Sequence, residues 1–294
     1  MLTFRKTLLS DLPAIRPYLL RDPCRLSSYS PGVLFMWREY FRLSHALEED
    51  TLLLKLSYDG LHEGYLFPLG SAPGLLLDRL EDAHRKSGEP LVFSSLCERD
   101  RDRLLIRYPG AVVTSSRDEA DYLYETEKLS AFPGRKYGRQ RNHLNAFRRA
   151  YPLHTVEELR PADVPALLMF LDRYSLRHPH TPLFVQEIAM VREVLEHYDL
   201  YGMTGAVLRA GEEIAAFTVG EVIGDTLEVH IEKADTRFPG AYQAMVSGFC
   251  SRFDPAAVPY VNREDDMGDE GLRFSKLSYH PIGLLEKYTL TVRL

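Results

Sequence analysis

The sequence predicts an α+β protein in which mostly antiparallel sheets are flanked by helices, with the plan laid down twice. Three observations carry this. Two long stretches, "TLLLKLSYDGLHEGYLFPLG" and "MTGAVLRAGEEIAAFTVGEVIGDTLEVHIEKAD", alternate apolar and polar residues between glycine turns, as half-buried hairpin strands do. Amphipathic segments with apolar residues at helical spacing surround both stretches. The element order of the first half then returns in the second. With 294 residues, 45 % of them hydrophobic, the chain is long enough for two modest cores.

The first half opens on a helix signalled by Ser10-Asp11-Leu12-Pro13, Ser10 being a capping residue type and Pro13 suiting the first turn. A hairpin turning at Asp59-Gly60 follows, then a helix over about Pro73 to Lys86, a strand at "PLVFSSL", a helix beginning near Cys97, and a strand pair at "AVVTSS" and "DYLYET". In the second half, "RPADVPALLMFLDRYSLRH" places Leu167, Phe170, Leu171 and Tyr174 on one helical face, and "PLFVQEIAMVREVLEHYDL" forms the next helix. Three strands punctuated at Ala210-Gly211 and Gly224-Asp225 come next, then a helix from about Gly240 to Phe253, a strand at "PYVN", an acidic loop, a helix at "GLRFSKL", and a last strand, "EKYTLTVRL". The expected domains are 1–133 and 153–294, with 134–152 as a basic connecting helix.

The formal net charge of −6 argues against a general nucleic-acid coat, so a polyanion would have to be met by a local patch. Cys24, Cys97 and Cys250 are far apart and form no C-x-x-C pair, which suggests neither a disulfide framework nor a thiolate metal site; no metal is expected. No stretch reaches the roughly 20 apolar residues of a membrane span, and the charged N-terminus does not read as a secretory signal, so a cytoplasmic location is expected. G-x-G-x-x-G, Walker A, G-x-S-x-G and H-E-x-x-H patterns are absent, and His178-Pro179-His180 reads as a solvated loop.

Two stretches break the charge balance. "RKYGRQRNHLNAFRRAYP", Arg135 to Pro152, holds six Lys or Arg and no acid. As a helix it would bury Leu144, Phe147 and Tyr151 and present Arg135, Lys136, Arg139 and Arg141, interleaved with Asn142, His143 and Asn145, as either a solvated face or a platform for phosphates such as a tRNA backbone, a lipid headgroup or a CoA 3′-phosphate. "VNREDDMGDEGLRFSKLSYHP" gathers Asn262, Arg263, Glu264, Asp265, Asp266, Asp269 and Glu270 ahead of Arg273 and Lys276. A calcium loop begun at Asn262 would have Met267 where glycine is needed and Arg273 where glutamate is needed, so that reading fails. The acids suit a helix N-terminus or could hold an amine, while Arg273 and Lys276 share a helical face able to grip an anion. Between these stretches, His230 and Glu232 alternate on one strand face, where either could act as a base or fill a polar core position. The turn at Gly240, with Tyr242 beyond it, is either an ordinary strand-to-helix connection or a pyrophosphate-binding helix start.

Helix pair, antiparallel strands, glycine-ended loop, helix, strand, helix, strand is also the element order of the GNAT (acyl-CoA N-acyltransferase) class. The stretches "DYLYETEKLSAFPGRKYGRQRNHLNAFRRAYP", "VHIEKADTRFPGAYQAM" and "YVNREDDMGDEGLRFSKLSYHPIGLLEKYTL" resemble a bacterial family of unknown function grouped with the C-terminal domain of phosphatidylglycerol lysyltransferase. The resemblance covers nearly the whole chain and implies a tandem GNAT-like fold. It also implies transfer of an aminoacyl group from aminoacyl-tRNA, with Arg273 and Lys276 as the residues carried over. The expectation is a transferase that moves an activated acyl group from aminoacyl-tRNA or acyl-CoA, neither permanently bound, to an amine or hydroxyl. Arg273, Lys276 and the basic tract would hold the carrier, Glu264, Asp265 and Asp269 would orient an amine, and Glu232 or His230 would assist proton transfer. The alternative is a ligand- or polyanion-binding module of degenerate transferase origin.

Overall fold

The computed structural model describes residues 2–21, 23–57, 63–178 and 181–294. The chain divides into two compact units, and neither is continuous in sequence: the first comprises 1–121, 265–269 and 284–294, the second 122–264 and 270–283. The boundary therefore falls at Asp121 rather than after residue 133, and the basic helix lies inside the second unit. Burial explains the placement: Phe132, Tyr137, Leu144 and Phe147 all sit in that unit's core.

In the first unit, strands pair in the order Arg5–Lys6, Ser44–Glu48, Thr51–Leu56, Gly64–Tyr65, Leu91–Leu96, Tyr288–Val292, Val112–Ser115. All neighbours are antiparallel except Gly64–Tyr65 beside Leu91–Leu96. Helices Pro73–Ser87 and Glu98–Arg107 cover the sheet, burying Leu76, Leu77, Leu80 and Leu104 against Leu53, Phe93 and Leu290. The first helix is Leu12–Arg21, entered through a single tight turn at Leu9–Asp11. Asp11, not Ser10, receives the free amide there, its Oδ2 accepting from Leu8 N at 2.9 Å. The paired hairpin strands Thr51–Leu56 and Gly64–Tyr65 are present, while their turn at Asp59-Gly60 lies outside the described residues, as do Pro179 and His180.

The second unit's strands run Asp121–Glu125, Tyr260–Asn262, Thr226–Ala234, Glu213–Ile223, Thr204–Ala210, Thr155–Glu158. Tyr260–Asn262 lies parallel to the start of Thr226–Ala234; the other neighbours are antiparallel. Helices Gly138–Ala150, Val164–Ser175, Pro182–Glu196, Ala241–Cys250 and Glu270–Ser278 flank this sheet or connect its strands. Each unit thus carries a GNAT-like set of helices around a mostly antiparallel sheet. Two sequence expectations give way. "AVVTSS" and "DYLYET" do not pair: Val112–Ser115 joins Tyr288–Val292, and Asp121–Glu125, far more buried, joins Tyr260–Asn262. The last strand, expected to complete the second half, is inserted between two strands of the first unit's sheet.

Candidate active site in the second unit

The Thr226–Ala234 strand pairs with Tyr260–Asn262 only as far as Glu228 opposite Asn262. Beyond that point the strand continues without this neighbour, and His230 and Glu232 stand where the ladder has opened. Residues following Asn262 turn across the same gap. Asn262 Oδ1 accepts from Glu264 N at 2.7 Å and Glu264 adopts a left-handed φ of 58°, a turn stabilised by the asparagine side chain. This turn sends Arg263 and Glu264 back toward the strand.

Arg263 is almost wholly buried. Its Nη2 donates to both Glu232 carboxylate oxygens, at 3.0 and 3.2 Å, and its guanidinium lies 4.6 Å from the ring centroid of Tyr279 and 5.8 Å from that of Tyr124. Burial opposes its charge, but Glu232 beside it holds the guanidinium pKa above the usual value. Its Nη1 has no hydrogen-bond partner among the described residues. Burial pushes up the hydroxyl pKa of Tyr242, at the start of the Ala241–Cys250 helix, and the Glu232 charge adds to that rise. The result is a charged pair set among tyrosines, with one buried guanidinium nitrogen lacking a hydrogen-bond partner among the described residues.

His230 is fully enclosed and sits between two carboxylates: Nδ1 is 2.8 Å from Glu264 Oε1 and Nε2 is 3.3 Å from Glu221 Oε1. Burial would lower its pKa, but these two hydrogen bonds push it up to about 10. An imidazolium with both N–H groups committed cannot accept a proton near neutrality, so His230 is a brace for Glu264 and not the base the sequence allowed. Glu221, whose strand bulges between Val219 and Gly220, was not singled out in the sequence, nor were Tyr124 and Tyr279. A period-two reading finds His230 and Glu232 together, but the carboxylate reaching across from the neighbouring strand has no local signal.

Lys276 is also buried; its Nζ donates to Arg263 O at 2.6 Å and lies 5.7 Å from the Tyr122 ring, while Tyr124 Oη donates to Lys276 O at 2.8 Å. It therefore fixes the turn that carries Arg263. Arg273 is half-buried on the same helix.

The five carboxylates expected to act together are spread apart. Glu264 serves His230, Asp265 pairs with Lys287 at 2.8 Å, and Asp266 pairs with Arg117 at 3.2 Å. Asp269 and Glu270 are exposed. Asp265, Asp266 and Asp269 belong to the first unit, where buried Lys287 also meets Asp121 at 2.7 Å. The joint amine site drawn through Glu264, Asp265 and Asp269 thus separates into two ion-pair clusters.

Arg135 and Lys136, in the short turn Arg135–Tyr137 before the basic helix, and Arg139 and Asn142 on it are exposed. Arg141 folds back, its Nη1 donating to Phe132 O and Gly134 O, and Arg139 lies 5.7 Å from the Phe274 ring. At Gly240, φ is +87° and an added Cβ would stand 2.4 Å from His143 O and 3.0 Å from Phe147 Cβ. That glycine permits the helix Ala241–Cys250 to pack closely on the basic helix, a structural use of the turn. Among the described residues, no helix is long and apolar enough to cross a membrane.

Comparisons with known proteins place the chain in a family. The profile of the family described as "Phosphatidylglycerol lysyltransferase, C-terminal" matches residues 24–291, and the chain belongs to that family. A conserved protein of unknown function from Bacteroides thetaiotaomicron is 29% identical, with a TM-score of 0.87 over 99% of this chain and 100% of that one. The structure of L-PGS from Bacillus licheniformis superposes with a TM-score of 0.66 at 14% identity, covering 98% of this chain and 93% of that one, a likeness of fold. An uncharacterised protein of Mycoplasmoides gallisepticum is 27% identical over 173 residues, which are 58% of this chain and 56% of that protein, so the match spans little more than half of that relative.

Proposed function

We propose that this member of the phosphatidylglycerol lysyltransferase C-terminal family is an acyl or aminoacyl transferase whose chemistry takes place at Glu232 and Arg263. The donor would be an activated ester or thioester, aminoacyl-tRNA or acyl-CoA, and the acceptor an amine or hydroxyl. Membership in a family named for lysyl transfer and the GNAT-like fold support the general class. The observation that carries the site is the buried Arg263–Glu232 pair, standing where the two parallel strands have parted. Arg263 Nη1 is suited to donate to the acyl carbonyl oxygen, whose charge grows as the tetrahedral intermediate forms. Glu232 is suited to take the proton from the attacking amine or hydroxyl. Tyr124 and Tyr279 keep the guanidinium in place and restrict water around it. His230 and Lys276 act one step back, fixing Glu264 and the Arg263 backbone. Exposed Arg135, Lys136 and Arg139 offer the carrier's phosphates an electrostatic contact that weakens as salt rises.

Assays of transfer from aminoacyl-tRNA and from acyl-CoA to amine and hydroxyl acceptors test this reading with the wild type, Glu232→Gln and Arg263→Lys. Glu232→Gln keeps the size of the side chain and is expected to lower kcat by about 10²- to 10⁴-fold with little change in the KM for carrier. Wild-type kcat in Glu232→Gln would remove Glu232 from the reaction. Ligand binding without turnover by the wild type would favour the binding-module reading.

A further inference from the structure

An open cavity of about 420 Å³ lies within the second unit and shares no lining residue with the Glu232–Arg263 site. Its size falls among clefts that hold small molecules, roughly 300–1,000 Å³. Three elements build it. The Val164–Ser175 helix supplies Ala166, Met169 and Arg173, which fall on one helical face. The hairpin of Thr204–Ala210 and Glu213–Ile223 supplies Ile214 from a strand and Glu212 from its two-residue turn, where Gly211 takes a left-handed φ of 66°. Arg237 comes from the segment after Thr226–Ala234. Ion pairs brace these walls. Arg209, also in the lining, ties the hairpin to the helix start through Asp163 Oδ1 at 2.6 Å, and Arg237 reaches Glu213 Oε2 at 3.1 Å and Asp235 Oδ2 at 2.9 Å. One charge of each sign is left over: the exposed side chains of Arg173 and Glu212 form no hydrogen bond or ion pair among the described residues. Between them lies an apolar lining in which Ile214 is buried while Met169 is 61% exposed.

We propose that this cavity binds a small zwitterion, an amino acid or dipeptide with an apolar side chain. Arg173 pairs with the ligand carboxylate, Glu212 pairs with its ammonium group, and Met169 and Ile214 receive its side chain. Charge balance selects this class. Arg209 and Arg237 are already matched by acids, so the cavity has no surplus of positive charge for a phosphate. A plain anion would satisfy Arg173 but meet the Glu212 carboxylate, and a plain amine would satisfy Glu212 but meet the Arg173 guanidinium. A zwitterion answers both. The flexible thioether of Met169 can settle on side chains of different shape, which suits a class of ligands more than a single one.

Equilibrium dialysis of the full-length protein against L-phenylalanine, glycyl-L-phenylalanine, phenethylamine and 3-phenylpropionate tests this. Phenylalanine or the dipeptide should be retained, the tighter of the two identifying the source, and each single-charge analogue should bind about fivefold to tenfold more weakly. Arg173→Gln should bring phenylalanine down to the affinity of phenethylamine without changing phenethylamine itself. Glu212→Gln should bring it down to that of 3-phenylpropionate. Both side chains are exposed, so the two variants should unfold at the wild-type temperature. Retention of neither zwitterion would overturn the inference. So would a single-charge analogue bound as tightly as phenylalanine, or phenylalanine binding that neither substitution changes. The readout is binding alone, so it is independent of acyl transfer at Glu232 and Arg263.

Discussion

His230 shows how one side chain can read correctly in sequence and still take another role. Its place beside Glu232 follows from strand alternation, but its charge state depends on Glu221, across a bulged strand, and on Glu264, beyond a left-handed turn. Because the folded pKa of about 10 lies above the ordinary imidazole value of 6.5, the folded state retains a proton that the unfolded chain releases as pH rises. The stabilisation is complete below about pH 6.5 and is lost as pH approaches 10, with stability falling by about 1.4 kcal/mol per pH unit within that window. Denaturant unfolding at successive pH values should show this slope, and His230→Gln should flatten it while lowering stability at pH 6.5. An unchanged slope in the variant would mean that other groups carry the dependence. Arg263 was legible only as one charge in a dense motif; its pairing with Glu232, 31 positions earlier, depends on where the two parallel strands end.

Among the elements, the basic helix was read well on its buried side and incompletely on its charged side. Leu144 and Phe147 face the core as their spacing predicts, since helical periodicity is a local property. The fate of each arginine is not local: Arg141 is spent on two carbonyls of the preceding loop, while Arg139 lies along an exposed aromatic ring. The helix is also half of a close helix pair that only Gly240 allows. In Gly240→Ala the new methyl would meet His143 O at 2.4 Å while the backbone stays at φ +87°, so the two helices must separate or the turn must rearrange. The expected cost is roughly 2–4 kcal/mol, read as a lower denaturant midpoint with an unchanged m-value. His143→Ala, which leaves the contacted backbone carbonyl in place, should be far milder. A Gly240→Ala protein of wild-type stability would show that the contact is not needed.

For the whole molecule, the repeated element order revealed two units, but the sequence could not show that the chain returns to the first one. Alternation marks "EKYTLTVRL" as a strand without saying which sheet receives it, because pairing partners nearly 200 positions away leave no trace in a local pattern. In the fold, Tyr288, Leu290 and Val292 stand opposite Leu96, Phe93 and Leu91 on one side, while Tyr288 and Leu290 face Ser115 and Val113 on the other. Leu290 is wholly buried in that core, and Lys287 just before it sits between Asp121 and Asp265. A fragment of residues 1–133, the domain suggested by sequence alone, would lack this strand and leave Leu91–Leu96 and Val112–Ser115 without their common neighbour. Two open strand edges around an exposed apolar face favour aggregation over folding. The fragment should therefore unfold without a cooperative transition and lack the near-ultraviolet circular dichroism of packed aromatics. Rejoining residues 284–294 through a flexible linker should restore part of both signals. A sharp, reversible transition in the unmodified fragment would show that the first unit folds without its last strand, and the dependence argued from the sheet order would fail.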